Sequence, residues 1–288
     1  MQDGRVEIAT HVSETPLGRT TISICRPAPL TRILDHLWHC DGVIADRRER
    51  VLPDGTFELV LALGPRHRIV DDGGTVLLPA TVFRGLRSQP YVLDHPDRCD
   101  TLGIVLTPTG AYALLARPLC EVGERLLDVR DLIGGDADEL AERCAGTRRV
   151  ADRFALVVRW MTTRLARSKA PDPAIAWMAA QIERGGSEQR VGMLRKETGL
   201  SKARLVATFR EQIGVRPKLY ARLVRFRRVL DRLKHGEEKL ADVALEAGYY
   251  DQAHMNAEFR ALAGISPTEF VAACFPEGSG NTAREPLV

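Results

Sequence analysis

No stretch of this 288-residue chain approaches the roughly 18 to 20 consecutive apolar residues that a membrane-spanning helix needs. Residues 1–20 lack both the basic start and the apolar core of a secretory leader, so the expected location is the cytoplasm and no membrane partner is expected. The six cysteines, Cys25, Cys40, Cys99, Cys120, Cys144 and Cys274, include no CxxC pair and lack the dense spacing of a disulfide framework. They read as reduced thiols, most of them buried, since a free cysteine usually behaves as a small core hydrophobe. Also missing are an HxH pair, a paired-carboxylate signature and a nucleophile elbow. The expectation is therefore a protein that is not an enzyme, with no catalytic residue, no metal and no cofactor.

What is present is an ordinary globular composition, with 44% hydrophobic and 27% charged residues. The length exceeds what one core usually organises and predicts two domains. Net charge is a mild +3, but its distribution is uneven. Basic and acidic side chains cancel over residues 1–169, leave +4 over 170–275, and reach +8 between Lys202 and Lys239. A local excess of that kind suits a polyanion, because each Lys or Arg that neutralises a phosphate releases condensed counterions; a solvated helix face is the competing reading.

The first 110 or so residues are strand-like. Short β-branched or apolar stretches at 6–8, 20–25, 57–63, 76–78 and 102–106 are punctuated by Pro53-Asp54-Gly55, Gly64-Pro65 and Asp72-Gly73-Gly74. Residues 33–38 fit either strand or helix, with strand favoured. The pattern predicts an antiparallel sheet or small barrel. Between 137 and 167, Leu140, Phe154, Val157, Val158, Met161 and Leu165 recur at helical spacing and predict one or two amphipathic helices that pack on the sheet or pair with a second copy. Ser168-Lys169-Ala170-Pro171-Asp172-Pro173 is short, polar and proline-bearing, which places the domain boundary there. The expected organisation is a β-rich domain over 1–167, an all-α domain over 168–275 and a flexible tail over 276–288, an α+β chain overall.

The second half repeats itself at an offset of 50 residues. Ser201, Leu205, Phe209, Arg210, Gly214, Pro217 and Tyr220 correspond to Asp251, Met255, Phe259, Arg260, Gly264, Pro267 and Phe270. Each copy has a helix N-cap, an apolar pair at i and i+4, a terminating glycine and a proline near the next helix start. Upstream, Gly199-Leu200 precedes one cap and Gly248-Tyr249-Tyr250 the other. Helix, glycine turn, polar cap and second helix form the helix-turn-helix layout, in which the second helix packs on its Leu/Phe face and leaves its N-terminal half free for a major groove about 12 Å wide. A plain helical bundle or α-solenoid pair is the alternative. Between the copies, residues 217–235 carry Leu219, Leu223, Phe226, Val229, Leu230 and Leu233 at helical spacing. One helix of that length is a rod of about 28 Å, near the roughly 34 Å between successive major grooves on one side of B-DNA.

From about residue 172 to 275 the chain resembles the AraC/XylS-type DNA-binding domain. The likeness rests on Gly199-Leu200-Ser201, Phe209-Arg210, Gly214-Val215-Arg216-Pro217-Lys218-Leu219-Tyr220, Leu240-Ala241-Asp242-Val243-Ala244, Ala247-Gly248-Tyr249, His254-Met255, Phe259-Arg260 and Gly264-Ile265-Ser266-Pro267. The resemblance implies a seven-helix domain whose third and sixth helices enter adjacent major grooves of double-stranded DNA and regulate transcription, with activation and RNA polymerase as the expected outcome and partner. On the first recognition helix the face opposite Leu205 and Phe209 carries Ala203, Ala207 and Arg210, and a basic residue often found at the place of Ala207 is missing. Alanine meets a thymine methyl but forms no bidentate hydrogen bonds, so weak, apolar base reading is expected from Ala203 and Ala207. The second helix offers Gln252 and Asn256, suited to adenine, with Ala253 and His254 beside them. Lys202, Arg204, Arg210, Arg222, Arg227 and Arg260 are the expected phosphate contacts, while Arg225 matches a position that is usually structural in the family.

Residues 1–167 loosely resemble the family's companion domains through Leu52-Pro53-Asp54-Gly55-Thr56-Phe57-Glu58-Leu59-Val60, Phe83-Arg84-Gly85 and Thr107-Pro108-Thr109-Gly110-Ala111. Such domains sense a small-molecule effector or form a homodimer, and Trp38, Asp54, Glu58 and Arg84 are the candidates to line an effector pocket. Two rivals stand beside this reading. One is a metal-dependent, cupin-like enzyme built around His36, His39 and Cys40, which needs helical spacing there because a strand would send the two histidines to opposite faces. The other is a DNA-binding protein without sequence preference.

Overall fold

The computed structural model describes residues 8–15, 18–44, 48–71, 73–166, 168–185, 188–235, 239–273 and 282–284. Val6 and Glu7 of the first expected strand, Asp72 of one expected turn, Cys274, and residues 276–281 and 285–288 of the expected tail lie outside the described residues. The fold is α+β, with a β-rich, barrel-like first part and a helical second part built on the duplicated unit.

The first part contains β1 (Ile8–Thr15), β2 (Gly18–Cys25), β3 (Leu34–Val43), β4 (Arg48–Val51), β5 (Phe57–Ala62), β6 (Arg68–Asp71), β7 (Gly74–Leu77), β8 (Thr81–Arg84), β9 (Tyr91–Asp94), β10 (Arg98–Leu106) and β11 (Leu126–Asp128). One sheet runs β1-β2-β3-β10-β5-β8-β11. The other runs β12-β4-β9-β6-β7, where β12 is Thr282–Arg284, and the pairings in both are antiparallel. The pleat sorts β10 by face. Ile104 stands opposite Leu37 on β3 and Leu59 on β5, a fully buried rung. Gly103, one residue back, faces Trp38 and Val60 on the other side. A Cβ at Gly103 would stand 2.0 Å from the Trp38 ring, so glycine is what lets the indole lie flat over the strand.

Four helices accompany these sheets: α1 (Pro108–Leu115), α2 (Val129–Ile133), α3 (Asp136–Ala145) and α4 (Val150–Leu165). The apolar period over 137–167 is thus realised as two helices. The side chain of Thr107 caps α1 by accepting from the Gly110 N–H, and a Cβ on Gly110 would meet the Ile33 carbonyl oxygen at 2.0 Å. A charged cluster holds α4 to the sheet: Arg153 donates to Asp100 Oδ1 at 2.7 Å and Oδ2 at 3.1 Å, and His39 Nε2 sits 2.8 Å from Asp100 Oδ1.

The second part consists of α5 (Pro173–Gly185), α6 (Glu188–Glu197), α7 (Lys202–Ile213), α8 (Pro217–His235), α9 (Leu240–Glu246), α10 (Gln252–Ala263) and α11 (Pro267–Ala273). Its spine is α8, with Tyr220, Leu223, Phe226, Val229 and Leu230 fully buried. Removing such a ring, as in Phe226→Ala, costs about 3 to 5 kcal/mol by lost burial and the cavity left behind.

The two parts share one continuous apolar core. Gly55, in the turn before β5, comes so close to α8 that an added Cβ would lie 3.2 Å from Leu223 Cβ. Tyr112 of α1 donates to Glu211 of α7 at 3.1 Å. Near the chain's other end, Thr282–Arg284 pairs with β4, and Ala283 is wholly buried. This corrects the expectation of a flexible tail at those positions. Three residues are too few to display a period of two, and the partner strand lies more than 230 positions earlier, so the pairing left no local trace. Among the described residues, no helix is long and apolar enough to cross a membrane.

Candidate nucleic-acid interface and interdomain cavity

Each half of the duplicated unit is closed by the same local devices. In the first, Gly199 turns the chain at φ +68°, the Ser201 side chain accepts from the Arg204 N–H, and Gly214 ends α7 at φ +87°. In the second, Gly248 turns at φ +87°, Asp251 accepts from the His254 N–H at 2.7 Å, and Gly264 ends α10 at φ +72°. Glycine occupies these positions because other residues are strained at positive φ. Leu205 and Phe209 anchor α7, and Met255 and Phe259 anchor α10, all buried. Phe226 of α8 packs edge-on against Phe259 with ring centroids 5.0 Å apart, tying the rod to the second module.

The opposite faces are open. Lys202, Ala203, Arg204, Ala207 and Arg210 are exposed on α7, as are Ala253, His254 and Arg260 on α10. Gln252 and Asn256 are half-buried, and the Asn256 Oδ1 is buried without a hydrogen-bond partner. Bidentate pairing with adenine needs both ends of the Asn256 amide, so that group must turn outward to read a base. Tyr250, next to the second cap, is 86% exposed, whereas Tyr249 is buried and donates to Glu258 at 2.9 Å.

The basic residues of α8 do not all face outward. Arg225 donates from one nitrogen, Nη2, to both Glu258 oxygens at 2.9 Å, and lies 4.4 Å over the Tyr249 ring. Burial opposes its charge, but Glu258 outweighs burial and raises its pKa. Arg222 also pairs with Glu258, at 3.4 Å. Arg227 corrects the expectation of a phosphate contact. It ion-pairs with Glu183 of α5 and reaches the Asp54 backbone oxygen at 3.4 Å, pointing into the molecule. On a helix wrapped by both parts, its angular position faces the barrel, which helical spacing alone does not reveal.

Arg227 lines a cavity of about 890 Å³ between the two parts. Glu183, Arg227, Asp231 and Lys234 contribute from the helical side, while Trp38, Asp54, Glu58, Arg84, Tyr91 and others contribute from the barrel. The four residues expected to line an effector pocket are brought together here. Arg84 bonds to Asp54 Oδ1 at 3.1 Å, to Glu58 Oε2 at 3.1 and 3.2 Å, and to Thr56 Oγ1 at 2.9 Å. Trp38 donates its indole N–H to the other Glu58 oxygen at 2.5 Å. Burial pushes the Asp54 carboxyl up, but Arg84 and the bonds from Thr56 hold it below its usual value. For Arg84 burial again opposes the charge, and the two carboxylates raise its pKa well above the ordinary value.

The sequence reading missed a second group in the same cavity. His67 and His95 meet Nδ1 to Nδ1 at 3.1 Å, with His67 Nε2 2.9 Å from Thr101 Oγ1 and His95 Nε2 2.7 Å from Glu49. Burial, and then His95, push the His67 pKa down to about 4. No spacing rule links positions 49, 67, 95 and 101, since strands β4 and β10 supply the first and last, and the segments just before β6 and just after β9 supply the two histidines. His36 and His39 belong to the strand β3 and face apart: His36 lines the cavity, while His39 joins Asp100 and Arg153 under α4. Among the described residues, no group of three or more His, Cys, Asp or Glu side chains is arranged to hold a metal ion.

Comparison with known proteins matches residues 194–273 to a helix-turn-helix domain family. A curated AraC-like transcription regulator of Streptomyces antibioticus is 24% identical over 144 residues, covering 46% of this chain and 48% of that protein. Residues 194–273 are a helix-turn-helix domain, and the chain is similar to an AraC-like regulator. It spans about half the length of the curated relative it matches. Residues 25–128 match a second family, described as a domain of unknown function (DUF6597). Among solved structures, ToxT from Vibrio cholerae O395 bound to (E)-4-(8-methylnaphthalen-1-yl)but-3-enoic acid overlays with a TM-score of 0.47 at 12% identity, covering 80% of this chain and 96% of that one. The AraC-like transcriptional activator CuxR overlays with a TM-score of 0.32 at 17% identity, covering 75% and 84%.

Proposed function

We propose that this protein is an AraC-type, sequence-specific transcription regulator that grips double-stranded DNA with α7 and α10 and responds to a small molecule held in the interdomain cavity. In this reading, residues 1–167 form the sensing domain and 168–275 the DNA-binding domain. Gln252, Ala253, His254 and Asn256 read bases, Ala203 and Ala207 offer apolar contacts, and Lys202, Arg204, Arg210 and Arg260 hold phosphates. RNA polymerase and a second copy of the chain are the further partners of such a regulator.

The observation that carries the proposal is that the cavity wall includes α8, the helix joining the two modules. A ligand shifts a conformational equilibrium only by binding two states differently. A molecule between the barrel and Arg227 or Lys234 touches the rod itself, and any movement of the rod changes how α7 and α10 sit relative to one another. A volume of about 890 Å³ falls within the range of small-molecule sites.

Selection of bound fragments from the source genome tests the DNA half of the proposal. The expected product is a shared motif with two contact blocks about 10 base pairs apart, one helical turn. Equal recovery of random fragments, with binding that falls in proportion to salt alone, overturns it. For the ligand half, a metabolite extract should raise the melting temperature of the full chain, and filling the cavity by Val60→Trp should abolish that rise. A rise unaffected by Val60→Trp would place the ligand elsewhere.

A further inference from the structure

Cys40 and Cys99 lie 59 positions apart in sequence, yet their sulfurs are 3.3 Å apart on the adjacent strands β3 and β10. The register explains the approach. Cys40 stands opposite Thr101 and Cys99 opposite Gly42, so the two cysteines are diagonal neighbours across the ladder. Gly42 has φ +137°, and the Arg19 carbonyl oxygen lies 2.1 Å from where its Cβ would stand, so this position holds no side chain. Cys99 is buried and Cys40 is partly open to solvent.

We propose that Cys40 and Cys99 form an oxidisable dithiol, which a small hydroperoxide converts into a disulfide joining β3 to β10. The hydrogen bond between the thiols favours the first ionisation and disfavours the second. Cys99 is held below its ordinary value by the bond from Cys40, whereas the same bond and burial hold Cys40 up. The Cys99 thiolate attacks a peroxide oxygen, so that an S–O bond forms, the O–O bond breaks, and the departing oxygen leaves as water or alcohol after taking a proton. Cys40 then loses its proton and attacks the Cys99 sulfur; the S–S bond forms, the S–O bond breaks, and hydroxide leaves as water. Two thiols are oxidised by two electrons in all, and the two peroxide oxygens are reduced by the same two. With hydrogen peroxide the products are one disulfide and two waters.

The pair is placed where such a bond would be felt. Thr101, opposite Cys40, lines the cavity and meets His67, and Asp100, next to Cys99, holds Arg153 of α4. A bond between β3 and β10 fixes the strand pair that carries both contacts.

Peptide mapping of the full-length chain under non-reducing conditions, after graded hydrogen peroxide and alkylation of remaining thiols, tests the proposal. The exposed Cys120 serves as an internal gauge that oxidant has reached the protein. At the dose that oxidises half of Cys120, most of Cys40 and Cys99 should appear as one joined peptide, lighter by two hydrogens and separable by a reductant. Cys40→Ser should stop the reaction one step earlier, leaving Cys99 as a sulfenic acid that a cyclic dione traps. If most of Cys40 and Cys99 remains alkylated at that dose, or if Cys99 is found joined to another cysteine, the proposal is overturned.

Discussion

Arg227, on the rod between the two helix-turn-helix modules, donates to the backbone oxygen of Asp54 in the barrel at 3.4 Å. The contact links the helix that sets the spacing of the modules to a residue whose own carboxylate holds Arg84 in the cavity floor. Arg227 also pairs with Glu183, which accepts from Tyr220 as well, so one carboxylate anchors α5 to two turns of α8. Arg227→Ala leaves Glu183 short of its counter-charge in a setting where both side chains are more than two-thirds buried. The expected loss is about 1 to 3 kcal/mol, less than for a fully buried pair. Urea denaturation of Arg227→Ala, Glu183→Gln and the double variant checks it. Strictly additive single effects would mean that the pair is not energetically coupled.

Gly103 and Trp38 offer a second test, because the indole lies where a Cβ of residue 103 would be. Gly103→Ala must displace the ring, and with it the bond to Glu58. Overpacking of this kind costs about 1 to 3 kcal/mol. Thermal denaturation should show the loss, and Trp38→Leu in the same chain should recover part of it by vacating the space. A Gly103→Ala chain as stable as the parent would show that the ring has room to move.

Much of this architecture is legible in the sequence. The 50-residue repeat marked the caps at Ser201 and Asp251, the glycines that end α7 and α10, and the bounds of α8, because each is a local rule of backbone geometry written in neighbouring residues. The composition of the cavity was legible only in part. Trp38, Asp54, Glu58 and Arg84 stood out as polar or aromatic residues in a strand-rich region, but His67 meets His95, and Arg227 meets Glu183, only through tertiary folding. Helical spacing predicts which residues share a face of α8, and it is silent on what packs against that face. Arg227 was therefore assigned to phosphate when its partner is a carboxylate. The strand at Thr282–Arg284 and the Cys40–Cys99 approach were hidden for the same reason, since sequence separation carries no distance.

On the DNA face, the exposed cations and the polar residues of α10 should separate by the kind of loss they produce. Arg210→Ala and Arg260→Ala are expected to weaken all sequences about equally and to lower the salt dependence by about one counterion each. Gln252→Ala and Asn256→Ala should instead relax preference at single positions, each costing about 1 to 3 kcal/mol for the preferred base. Asn256→Ala should leave stability nearly unchanged, since the side-chain oxygen it removes is buried without a partner. Binding-site selection with each variant, paired with thermal denaturation, checks these expectations. A uniform loss for all four would erase the division between reading and holding.

His67 gives the fold a pH dependence whose direction follows from its burial. Its folded value of about 4 lies below the ordinary 6.5, because burial and then the neighbouring His95 disfavour the imidazolium. Between those two values the unfolded chain binds a proton that the folded chain refuses. The contribution of His67 is fully present above pH 6.5, is lost as the pH falls toward 4, and changes no further below that, since both states are then protonated. The slope inside the window is of order 1 kcal/mol per pH unit. His67→Gln keeps a hydrogen-bonding group facing Thr101 without a proton to gain, so its stability should fall less steeply over the same interval. Urea midpoints from pH 7 to pH 4 for the parent and the variant make the comparison, and parallel curves would assign the acid sensitivity to other groups.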